Sequence, residues 1–145
     1  MKFEGTIESK ASRQKFYRFV TDPPSVISIL PDVEESKVKD RDHFSVKSKV
    51  GLSYVKGSVS MNFEVVEKRQ DEFAKLVGHG QGLQSSVDMA MEITLEDKGK
   101  GSLARWKTEA NVGGLLASVG ARLLGGAADK YVKQITENLK KKVES

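Results

Sequence analysis

Side chains able to do covalent or acid–base chemistry are scarce in this chain. It has two histidines, His43 and His79, and no cysteine. Thiolate nucleophiles and disulfides are thereby removed, and a metal centre would have to be built mainly from scattered carboxylates. His43 lies in the turn-like run DRDH, and His79 alternates out of phase with Leu76 and Gly78, so both read as solvent-facing. Nucleophilic catalysis needs a base beside the nucleophile and a group that orients the base, and no spacing here supplies that set. No catalytic residue, metal or cofactor is expected.

Two glycine-bearing stretches come nearest to a phosphate loop. GHGQG at 78–82 has two of the glycines of a dinucleotide loop, but position 83 is Leu83 and the flanks are strand-like, so the third glycine and the helix are missing. It reads better as a strand whose glycines mark a bend or a close backbone approach. Gly120 to Gly125 has the gap of a Walker loop, yet Gly126 and Ala127 stand where a lysine and a hydroxyl are required. The surrounding apolar run, 111–132, contains Arg122 and gives way to Asp129 and Lys130. A bilayer span needs about 20 predominantly apolar residues, so this run is not one.

What remains is the recognition of an apolar body. Met61, Met89 and Met91 share strand phases with Phe63 and Trp106. Methionine is a flexible, polarizable filler, so the group reads as plain core or as the lining of an adaptable pocket. Small residues at Gly57, Gly78, Gly80 and Ala104 favour space. Ser48, Thr108 and Tyr131 offer hydroxyls that could orient a ligand oxygen, or be satisfied by backbone and water. The expected lining, between a sheet and a C-terminal helix, is Ser48, Val59, Met61, Phe63, Met89, Met91, Trp106, Thr108, Leu116, Leu123 and Tyr131.

The elements that would position these residues follow from periodicity. KFEGTIE alternates as a strand with one buried face, Ser12 caps a short helix, and Thr21 or Asp22 before Pro23-Pro24 caps a second one that Pro31 stops. From Val33 to Val112 alternation dominates, most cleanly at Val87, Met89, Met91, Ile93 and Leu95, with a hairpin turn at Asp97 to Gly101. A long helix is expected over 114–143 from Leu116, Val119, Leu123, Ala127, Tyr131, Ile135, Leu139 and Val143. Along it, Gly113, Ala117, Ala121 and Gly125 form a row of small residues, there for tight packing, for ligand space or for a hinge. Phe73, Val77 and Val66 fall on the outward phase as a candidate docking patch.

Composition agrees with one soluble domain spanning 1–145. The chain is 38% hydrophobic and 30% charged, with a net charge of +4, too apolar for disorder and too polar for a membrane protein. Nucleic acid is not implied by so mild a basic balance. The charged N-terminus does not resemble a signal peptide, and a cytoplasmic location is expected.

A strand, two small helices, six strands and a closing helix make an α+β helix-grip (START-like) pattern: a curved antiparallel sheet of about seven strands around a long C-terminal helix. The MKFEG start, FVTDPPSVISILPDVEE, GHGQG, and NVGGLLASVGARLLGGAADKYVKQITENLKKKV order the chain from end to end. In these it resembles the carbon monoxide dehydrogenase G-subunit (CoxG) family of the START-like, SRPBCC superfamily. The resemblance implies a noncatalytic accessory protein that binds a hydrophobic small molecule, a quinone or other isoprenoid lipid, and links a molybdenum hydroxylase of the carbon monoxide dehydrogenase type to the membrane. Peripheral contact with the inner face of the membrane is implied as well. Many members carry a further C-terminal tail for that contact; the sequence here ends at Ser145, so recruitment by such a tail is not expected. Lys133, Lys140, Lys141 and Lys142, with Arg122, read either as a solvated helix face or as a guide to an anionic surface. The alternatives are a polyketide cyclase-like or hydrolase-like enzyme using the same cavity, and an adaptor with a filled core.

Overall fold

The computed structural model describes residues 1–145. Strand β1 (Lys2–Ser9) leads into helices α1 (Arg13–Val20) and α2 (Pro23–Ile29). Six strands follow: β2 (Val33–Asp40), β3 (His43–Leu52), β4 (Val55–Arg69), β5 (Phe73–Gly82), β6 (Ser85–Lys98) and β7 (Gly101–Gly114). After a 3₁₀ turn at Ala117–Val119 the chain ends in α3 (Ala121–Val143). The strands form one antiparallel sheet in the order β1-β7-β6-β5-β4-β3-β2, so every neighbouring pair except β1 and β7 is joined directly in sequence. This is the helix-grip architecture.

The short helices start where the sequence places their caps. Ser12 Oγ accepts from the Lys15 amide at 3.1 Å, and Asp22 accepts from the Ser25 amide at 3.2 Å, with Pro23 and Pro24 in the first turn where a missing N–H costs nothing. The β5–β6 hairpin turns on Leu83 and Gln84, both at positive φ (55° and 54°), a conformation that favours Asn or Gly. Leu83 is held there by packing: its side chain lies over Gly57, where a Cβ would collide with it, and joins Val55, Val59 and Leu116.

The long helix begins later than periodicity suggests. Gly113 and Gly114 belong to β7, paired with Ser86 and Ser85, and Gly120 at φ +100° is not helical. Ladder pairing to β6 claims the first glycine pair, so only Gly125 and Gly126 lie within α3.

The interior is divided. One cluster joins α1, α2 and the end of α3 to the sheet through Phe16, Tyr17, Ile29, Ile93, Leu95, Leu139 and Val143. A second, Phe44, Val46 and Phe63, sits beneath Val26, Ile27 and Leu30 of α2 and the residue after it. A third, Val55, Val59 and Leu116, closes the opposite end. A domain usually has one contiguous core; here the first half of α3 belongs to none of the three clusters.

Candidate ligand-binding groove

Antiparallel register places the floor. Val46, Met61, Gly80, Val87 and Val112 lie side by side across β3 to β7, and Phe44, Phe63, Gly78, Met89 and Ala110 form the next row. Leu76, Met91, Thr108 and Phe3 continue the face toward β1. The rings of Phe44 and Phe63 stack with centroids 5.0 Å apart. Met61, Met89 and Met91 are only half-buried, although they occupy the middle of a sheet face that a helix crosses.

The roof explains that exposure. Toward its end α3 is anchored by Ile135, Leu139 and Val143; Asn138 donates to the Ile29 carbonyl at 3.1 Å, and Lys142 to the Ser28 carbonyl at 2.9 Å. Its first half presents Leu124, Gly125, Ala128 and Val132, all half-buried. At Gly125 a Cβ would meet nothing within 4 Å. The glycine is therefore not there to let backbones touch.

The residues expected from the sequence separate into groups. Met61, Met89 and Met91 form the half-open floor. Val59 and Leu116 pack at one end of it, Phe63 packs on Phe44 and Val46, and Trp106 lies flat against Gly5, 2.8 Å from where a Cβ would stand. Thr108 is nearly buried, at 9% exposure. Leu123 does not line the interior. It is 45% exposed, because the stripe that meets the sheet runs through Leu124, Gly125 and Ala128, one position out of step with the Leu116–Val119–Leu123 spacing. That spacing crosses the non-helical Gly120, so its phase does not carry into α3.

Tyr131 stands at the edge of the groove, 39% exposed. Burial of its hydroxyl raises the pKa above the ordinary tyrosine value, the Asp32 carboxylate raises it further, and a hydrogen bond with Ser48 opposes them. The hydroxyl is thus a donor through the neutral range, and Ser48 and Tyr131 are brought together. Leu124, Ala128 and Asp32 were missed in the sequence, whereas Gly125 stood in the row of small residues read there as tight packing, ligand space or a hinge; a stripe counted backward from the anchored Leu139 would have found Leu124 and Ala128.

Outside the groove, His43 contacts Asp40 at 2.7 Å and Glu64 at 3.4 Å, and His79 contacts Asp88 at 2.6 Å. All five side chains are well exposed. No group of three or more His, Cys, Asp or Glu residues is arranged to hold a metal ion. Phe73 corrects the expected outer patch: it is 8% exposed, because the bulge between Val65 and Glu67 sets Arg69 opposite it and the guanidinium covers the ring at 4.4 Å. No helix is long and apolar enough to cross a membrane.

Residues 5–144 match the profile of the family described as the carbon monoxide dehydrogenase G subunit, CoxG. The chain belongs to the CoxG family. Solved structures agree on the fold of this CoxG-family chain. A conserved protein from Geobacillus kaustophilus superposes with a TM-score of 0.87 at 22% identity, covering 99% of this chain and 95% of that one. A START superfamily protein from Mycobacterium smegmatis gives 0.72 at 12% identity, with 99% and 97% covered. A protein from Chromobacterium violaceum gives 0.70 at 18%, with 100% and 99% covered. No curated protein matches the sequence. CoxG membership and the START-like fold together fix the family and the architecture of this chain.

Proposed function

We propose that this CoxG-family protein is a noncatalytic accessory carrier. It holds a hydrophobic molecule, a quinone or other isoprenoid lipid, between the sheet and the first half of α3, and links a molybdenum hydroxylase of the carbon monoxide dehydrogenase type to a membrane electron acceptor. The observation that carries this reading is that Met61, Met89 and Met91 stay half-buried at the centre of the sheet face, and that the room for a side chain at Gly125 is left unfilled. A chain selected only for stability would fill it, since unfilled apolar volume forfeits dispersion contacts.

The chemistry of the walls supports carriage over catalysis. The rows of floor positions from Val46 to Val112 and from Phe44 to Ala110 carry no Asp, Glu, His, Lys or Arg, so this floor offers no acid or base to move a proton; Lys68, opposite Ala74, and Asp97, opposite Ser102, share the inward phase beyond it. Organic extraction of the purified protein, followed by mass spectrometry, tests the proposal. A stoichiometric isoprenoid is the expected result. An extract without lipid, from protein that also fails to take up an added quinone analogue, would reject it.

A further inference from the structure

The sheet leaves β2 as an open edge, and a second groove lies beside it, away from the one under α3. Within a strand, the N–H and C=O of one residue point to the same side and those of the next residue to the other. The Lys49 N–H donates to the Asp32 carbonyl at 2.9 Å, so Lys47 and Ser45, two and four residues back along β3, also turn their backbone groups toward β2. They face Glu35 and Lys37. Ser36 and Val38 then point theirs away from the sheet, where no strand receives them. Bulges between Val33 and Glu35 and between Val38 and Asp40 confine this open ladder to a few residues, which guards it against edge-to-edge growth. Val38 shares the phase of the buried Phe44, yet it is 45% exposed. Next to it a groove of about 690 Å³ runs against the α1–α2 corner, lined by Phe19 and Pro24 and rimmed by Lys15, Arg18 and Arg41. Its two carboxylates are occupied: Asp22 accepts from Ser25, and Asp40 holds His43. The arginine ion pairs of the protein are those of Arg13, Arg69 and Arg105, so Arg18 and Arg41 stand unpaired.

We propose that this edge and groove dock an extended acidic segment of a partner protein. The segment adds to β2 as an antiparallel strand bonded at Ser36 and Val38, and sets an apolar side chain beside Val38 and Phe19. Its N-terminal end runs past Asp40, as the antiparallel direction requires, and brings carboxylates to Arg18 and Arg41. A second copy of this chain is the rival occupant, but two β2 edges bounded by bulges would share only Glu35 to Val38, a short contact against the ~1,200 Å² or more that stable interfaces bury. The site lies outside the groove beneath α3 and does not depend on what that groove carries.

The peptide Glu-Glu-Val-Thr-Val-Thr-Val-Thr, titrated into isotope-labelled protein and followed by NMR, tests it, with Lys-Lys in place of Glu-Glu as the control. The acidic peptide should shift the amides of residues 35–39, slow hydrogen exchange at Ser36 and Val38, and bind at least ~10-fold more tightly than its lysine counterpart. Arg18→Ala/Arg41→Ala should remove that preference. Val38→Pro deletes a donor that faces solvent, at a place where an edge strand accepts proline, so it should weaken the acidic peptide at least ~10-fold with the melting temperature little changed. No binding of the acidic peptide, equal binding of both peptides, or a preference that survives the arginine substitutions would overturn the proposal. So would protection of Ser36 and Val38 that appears without peptide and grows with protein concentration, which would assign the edge to a second copy.

Discussion

Gly125 and Gly126 lie inside a 23-residue helix, at ordinary helical φ, with nothing within 4 Å of where either Cβ would stand. Glycine in a helix interior costs about 1 kcal/mol relative to alanine, because more backbone entropy is lost on folding. With no neighbour to clash, Gly125→Ala/Gly126→Ala should recover most of that at both sites, about 2 kcal/mol, or roughly 30-fold in the folding equilibrium. For 145 residues the unfolding entropy is about 0.3 kcal/mol/K, so the melting temperature should rise about 6–7 °C. Differential scanning calorimetry of the wild type and the double variant measures this directly. Gly114→Ala is the control and should lower the melting temperature: Gly114 has φ +80°, and a Cβ there would collide with the Gln84 carbonyl oxygen. A double variant melting at or below the wild type would show that these glycines make contacts that alanine breaks, and the unfilled room at Gly125 would lose its main support.

The two ends of α3 should also differ when side chains are truncated: Leu139→Ala should cost ~2–5 kcal/mol, while Leu123→Ala should stay within ~0.5 kcal/mol in chemical denaturation. Phe73→Ser should cost roughly 3 kcal/mol by deleting a buried ring and its Arg69 contact; a variant as stable as wild type would return Phe73 to the surface. In an NMR titration His43 should have a pKa above the ordinary histidine value, through its hydrogen bond to Asp40 and then the charges of Asp40 and Glu64, and Asp40→Asn should bring it down. A raised folded pKa means that this contact contributes to stability below the unfolded histidine pKa and that the contribution is lost as pH rises through the folded value. Asp40, lowered chiefly by the same bond, mirrors this: its contribution is present above its unfolded pKa and is lost as pH falls through the lowered one. Amides of 122–130 should exchange with solvent faster than those of 134–141 and be slowed by ligand, whereas uniform protection along α3 would argue against local opening.

The sheet was legible because alternation is a local signal. The period-2 runs in β3, β4 and β6 and the caps at Ser12 and Asp22 needed nothing beyond their own neighbours. The start of α3 was not, because Gly113 and Gly114 read equally well as the end of a strand and as weak helix. Which they become depends on pairing with Ser85 and Ser86 across the sheet, a contact that periodicity cannot see. The same misplaced start put Leu123 on the wrong face. Phe73 escaped for a related reason: strand phase predicts the side of the sheet, not whether a long side chain such as Arg69 folds over it. At the site, residue types pointed to the methionine floor, while Asp32, on the turn before β2, carried no pattern at all.

The distribution of contacts along α3 bears on how a ligand would enter. From Ile135 onward the helix has side chains in the core and hydrogen bonds to α2, whereas from Ala121 to Tyr131 it has neither, and two glycines weaken it there. Helix stability in proteins comes mainly from the packing of one face, so the first half of α3 depends on whatever occupies the groove. An apolar occupant would give Leu124, Ala128 and Val132 the neighbours they lack, and the energy recovered would fall on the segment that must move for the ligand to pass. Binding and closure are then one event. On the proposed carrier reading, the glycines would keep the unoccupied segment loose, and the anchored end would let it open without dismantling the fold.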